Sequence, residues 1–129
     1  MGTNWFYRFD ECGHCDRYTE VHVCKSKRTW RAYRNVFLDD EHPEWGRTQE
    51  SPFGFSVRSL ADWRTVFTAR PGRLFDEYGK QIDDPLGWLG EAVPWRPTPE
   101  GLADLCADEA AGMGWLDEAG HRFYAGEFS

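Results

Sequence analysis

The sequence predicts a single α+β domain over residues 1–129: a small antiparallel sheet, a zinc knuckle at its N-terminal end, and two to three short helices. Three observations predict it. A length of 129 residues suits one domain. Short aromatic or alternating runs are interspersed with short helical patterns, each bounded by Pro or Gly. Three of the four cysteines and two of the four histidines fall within "ECGHCDRYTEVHVCKS", from Glu11 to Ser26.

The elements follow in order. Asn4 to Phe9, "NWFYRF", is short and aromatic and reads as a strand. Asp10 to Arg17 is a polar turn carrying Cys12 and Cys15. Tyr18 to Cys24 alternates, which sets Val21 and Val23 on one face and His22 and Cys24 on the other. Thr29 to Phe37 reads as a third strand, and Leu38 to Gly54 as an acidic loop. Ser59 to Ala69 is the best helix: Ser59 is the N-cap, Asp62 follows three residues later, and Leu60, Trp63, Val66 and Phe67 share an apolar face. Pro71-Gly72 stops it. "RLFDEYGKQI" reads as a hairpin turning at Glu77 to Gly79. Asp84-Pro85 opens a short helix to about Ala92, and "VPWRPTP" is a stiff connector. A soft boundary falls near residue 94, but each half is small for a separate domain. Thr98-Pro99 opens a helix to about Ala111, ended by "GMG", and "WLDEAGHRFYAGEF" forms a last hairpin. "LFDEYGKQI" and "WLDEAGHRF" share one pattern, which predicts the same turn chemistry used twice.

Composition narrows the class. The net charge is −7, which argues against a general nucleic-acid binder, because phosphate is held by Lys and Arg. Aromatics make up 16%, with seven Trp, so the core is expected to be built of rings, and rings left outside are partner contacts. No apolar run approaches the roughly 20 residues of a membrane span, and the first residues lack a basic segment followed by an apolar one. A soluble, cytoplasmic protein with no membrane partner is the expectation. In that compartment a close cysteine pair points to metal before disulfide.

Zinc takes four thiolate or imidazole ligands in a tetrahedron. Cys12-x-x-Cys15 puts two thiols on one tight turn, and the following strand offers His22 and Cys24. These four are the expected zinc ligands. Cys24 is the open position, with Cys106, His121 and His42 as distant alternatives; His14 is expected to point to solvent. A thioredoxin-type pair needs its CxxC at a helix N-terminus, whereas this one lies between strands. A catalytic zinc keeps one position open beside a general base. The deaminase pattern H-x-E followed by P-C-x-x-C is absent, so a structural metal is favoured. Cys106, in "GLADLCADEA", reads as a core residue of its helix.

Two other constellations compete. Lys25, Lys27, Arg28, Arg31 and Arg34 interleave with Trp30 and Tyr33, which suits a single nucleic-acid strand held by charge and stacking. Strand alternation sets some of them on opposite faces. Asp39, Asp40, Glu41, His42 and Glu44 group acids with a histidine, as a metal-dependent nuclease does, although a solvated acidic loop explains the run more cheaply.

With these residues laid out, the chain resembles a group of small uncharacterised proteins of tailed bacteriophages and prophages. The matching stretches are "ECGHCDRYTEVHVCKS", Trp30, "SVRSLADWRTVF", "RLFDEYGKQI" and the terminal "AGEFS". The resemblance implies metal ligation at Cys12, Cys15 and His22. This sequence departs from the group at Cys24, where the group has Gly. The resemblance carries no established activity. It supports a phage origin and a metal site. The closed-looking zinc site, the many aromatics and the lack of a catalytic set favour a phage accessory protein of the host cytoplasm that binds a host or phage protein; the acidic charge makes an inhibitor of a host defence or nucleic-acid enzyme one form.

Overall fold

The computed structural model describes residues 3–15, 17–35, 49–95, 98–110 and 114–124. Alternation in the first aromatic run decides where the core lies. In strand β1 (Asn4–Phe9), Tyr7 and Phe9 point inward and are buried, while Phe6 and Arg8 face the other side. The chain continues through β2 (Thr19–Lys25), β3 (Thr29–Arg31), α1 (Leu60–Ala69), β4 (Gly72–Asp76), β5 (Gln81–Ile82), α2 (Pro85–Gly90), α3 (Pro99–Ala110), β6 (Gly114–Leu116) and β7 (Arg122–Tyr124).

The strands form one open sheet of seven, in the order β5-β4-β1-β2-β3-β7-β6. The expected small antiparallel sheet is therefore wider than the sequence suggests, and it is mixed. Every neighbouring pair is antiparallel except β3 and β7, which run parallel with Trp30 opposite Phe123. The C-terminal hairpin looks self-contained in sequence, but it docks on the edge that β3 leaves open. The third strand is also shorter than expected. Beyond Arg31 the chain makes only isolated bridges, Tyr33 to Val57 and Arg34 to Glu50, and residues 36–48 lie outside the described residues.

The helices start where their caps dictate. Ser59 Oγ accepts from the Asp62 N–H at 3.2 Å, and the Asp62 carboxylate accepts from the Arg58 N–H at 2.9 Å. Asp84 accepts from the Gly87 N–H at the start of α2, and Thr98 Oγ1 from the Gly101 N–H at the start of α3. Trp63, Val66 and Phe67 of α1 and Trp88 and Leu89 of α2 cover the inner face of the sheet. The ring centroids of Tyr7 and Phe67 are 4.4 Å apart and those of Trp30 and Trp88 5.7 Å. The core is aromatic, as the composition predicts.

The two Asp-Glu-x-Gly phrases fold alike. Asp76 Oδ1 accepts from Tyr78 and Lys80 N–H, and Asp117 Oδ1 from Ala119 and His121 N–H. Gly79 and Gly120 sit at φ of 85° and 87°, a left-handed conformation that glycine adopts without cost. Each turn closes with the glycine N–H on the aspartate carbonyl.

Candidate functional site

The connection between β1 and β2 carries Cys12 and Cys15, and the Cys12 N–H closes it on the Arg17 carbonyl at 2.8 Å. The neighbouring Cys15 thiol, and next the backbone of His14 and Cys15, hold the Cys12 pKa below the usual thiol value. Cys15 is exposed and Cys12 half-buried. The base of the loop is tied to β4 and its approach. Arg73 forks onto Glu11 with both contacts at 2.9 Å, and Arg70 meets Asp10 at 3.2 Å. Such exposed pairs stabilise little individually, but they orient the loop.

His22 and Cys24 do not join this pair. The register between β1 and β2 slips between Trp5 and Phe6, so that Trp5 opposes Cys24 and Phe6 opposes His22, leaving Val23 as an extra residue. A bulge of this kind turns the following side chain to the other face. Cys24 therefore points inward, fully buried opposite Trp30, and burial pushes its thiol pKa far up. His22 stays on the outer face, stacked on Phe6 with ring centroids 5.1 Å apart and Nε2 3.0 Å from the Cys24 carbonyl. Burial, and next the nearby Arg31 charge, lower its pKa from 6.5 to about 4. The Tyr33 hydroxyl locks the bulge by accepting from the His22 N–H at 3.0 Å and donating to its carbonyl at 2.9 Å. His22 lies three positions along β2 from Thr19, where the paired strands end. At roughly 3.4 Å per residue that is about 10 Å further from the knuckle, against metal–ligand bonds of about 2.0–2.3 Å.

The β1–β2 connection thus carries Cys12 and Cys15 together, whereas the four-ligand set Cys12, Cys15, His22 and Cys24 is not brought together. Among the described residues no group of three His, Cys, Asp or Glu side chains is arranged to hold a metal ion. Of the alternatives, Cys106 is exposed on α3, where Leu105 is the buried residue, which corrects its reading as core. His121 is buried in the C-terminal hairpin. His42 and the acidic run Asp39 to Glu44 lie outside the described residues, as does the nuclease reading that rests on them.

The basic run divides. Lys25, Lys27 and Arg28 are at least partly exposed around the β2–β3 turn, with Lys27 Nζ 4.9 Å from the Trp88 ring centroid and 3.4 Å from Glu91. Trp30 has no exposed surface and Arg31 is buried, bonded to Gln49 at 3.2 Å. Burial removes the indole that would have stacked on a base.

Sequence reading missed a second feature. A cleft of about 640 Å³ opens between the start of α1 and the β6–β7 hairpin, lined by Arg58, Leu60, Arg64, Trp115, Leu116 and His121. Its signal in the sequence was the twin turn, which sets Asp117 in the place of Asp76 and His121 in the place of Lys80. Among the described residues no helix is long and apolar enough to cross a membrane. No family model, no curated protein and no solved structure matches the chain.

Proposed function

We propose that this protein is a binding module carrying a zinc-type knuckle at Cys12 and Cys15, and that it works by docking on a partner, not by catalysis. The observation that carries the reading is the placement of Cys12 and Cys15 on one connection, where the Cys15 thiol and neighbouring backbone lower the Cys12 pKa. Those neighbours favour the thiolate, which is the metal-ligating form. A bound zinc would pin the loop between β1 and β2, and its remaining ligands come from outside the pair. In the phage setting implied by the sequence resemblance, the partner is a host or phage protein. The single-stranded nucleic-acid reading loses Trp30, Arg31 and Tyr33 to burial and is the weaker one.

The test is metal content, measured on protein purified without added zinc, together with melting in the presence and absence of a chelator. Stoichiometric zinc is expected. Cys12→Ser/Cys15→Ser should abolish it and His22→Gln should keep it, while Cys15→Ala should lower the melting temperature because metal-binding energy is folding energy at such a site. Metal-free protein with an unchanged melt would overturn the reading. Zinc lost in His22→Gln would show instead that His22 completes the site.

A further inference from the structure

The cleft beside α1 holds a group that the fold leaves unsatisfied. The His121 side chain is only 7% exposed, yet neither ring nitrogen has a hydrogen-bond partner. Nδ1 lies 3.3 Å from Asp117 Oδ1 without hydrogen-bond geometry. A buried polar group without a partner typically costs about 1–3 kcal/mol, and such groups call for an explanation. The Asp117 carboxylate is engaged by backbone, accepting from the N–H groups of Leu60, Ala119 and His121. The α1 start is thereby neutralised from within the chain.

The remaining walls are firm and mostly apolar. Trp115 lies flat against Phe123, with interplanar angle 4° and centroids 6.3 Å apart. The Arg58 guanidinium sits 4.6 Å from the Trp115 centroid, and Trp115 Nε1 donates to the Arg58 carbonyl at 2.8 Å. Leu60 and Leu116 continue the apolar surface, and Arg64, one turn along α1 from Leu60, adds a second guanidinium. The available polar groups are thus chiefly donors, with Glu118 as the exposed carboxylate at the cleft.

We propose that this cleft binds a small organic oxyanion, a carboxylate or phosphate monoester with a compact apolar body. The oxyanion meets His121 and Arg64, and the apolar body lies against Leu60, Trp115 and Leu116. His121 faces Asp117 through Nδ1 and would face the ligand through Nε2. The charged groups around the ring are Asp117 and Glu118 of its own hairpin, Arg58 before α1 and Arg64 on α1. This site is independent of the knuckle.

The experiment is a titration of the full chain followed by NMR at the Trp115 indole N–H and the His121 amide. Benzoate and phenyl phosphate are the probes, with inorganic phosphate and neutral benzyl alcohol beside them. Saturable binding of benzoate or phenyl phosphate is expected, and whichever binds more tightly identifies the anion. Arg64→Ala, at an exposed position, should weaken it about tenfold, the loss of one charge-assisted hydrogen bond. Glu118→Gln should strengthen it. No saturable shift with either aromatic anion would overturn the proposal. So would benzyl alcohol binding as well as benzoate, or an affinity unchanged in Arg64→Ala.

Discussion

Trp63 and Trp88 are both buried, but their indole N–H groups meet different fates. Trp63 Nε1 donates to the Arg31 carbonyl at 3.0 Å, whereas Trp88 Nε1 has no partner, like those of its neighbours Trp5 and Trp30. Trp63→Phe takes a donor from a buried carbonyl as well as opening space. It should cost about 3 kcal/mol, while Trp88→Phe removes an unsatisfied donor and should cost about 1 kcal/mol. Denaturant melts of the two variants check the difference. His22 gives a pH-dependent counterpart. Its pKa is about 4 in the folded chain and 6.5 when unperturbed, so the unfolded chain takes up the proton first as pH falls. Stability attached to this group is whole above pH 6.5 and is lost progressively down to pH 4. The ring is partly solvated, so the loss should be on the order of 1 kcal/mol. Stability measured against pH should show a shallower acid limb in His22→Gln; an unchanged limb would mean that His22 is not its source.

At the scale of elements, the two Asp-Glu-x-Gly turns share their hydrogen bonds but not their tertiary role. Asp76 serves only its own hairpin in the bonds its carboxylate makes, near the surface. Asp117 makes the same bonds and also accepts from the Leu60 N–H, joining the last hairpin to the start of α1 with a side chain 3% exposed. Asp76→Ala should therefore cost about 1 kcal/mol and Asp117→Ala about 3 kcal/mol, read from thermal or denaturant unfolding. The turns themselves were legible in the sequence, because Asp and left-handed Gly act through neighbouring backbone. The caps at Ser59, Asp84 and Thr98 were legible for the same reason. The face on which Cys24 lies was not: alternation predicts it beside His22, and one extra residue at Val23, locked by the distant Tyr33 hydroxyl on His22, reverses it. The cleft was equally hidden, because residues 58–64 and 115–121 meet only in the tertiary fold.

At the scale of the whole molecule, the aromatic core and the two candidate sites are spatially divided along the sheet. Cys12 and Cys15 lie on the β1–β2 connection near the middle of the strand order, and the cleft lies by the β6–β7 edge. The parallel pair between them has a consequence for how the chain is made. Thr29 opposes Arg122 and Arg31 opposes Tyr124, across most of the polypeptide. During synthesis, β3 must wait with one edge unpaired until Arg122–Tyr124 have been made. Strand pairings so distant in sequence close slowly, and an open edge is a template for the wrong partner. The shortness of β3, three residues, limits that template while the chain is incomplete. The β6–β7 hairpin is thus what seals the open edge of β3 in the nascent sheet.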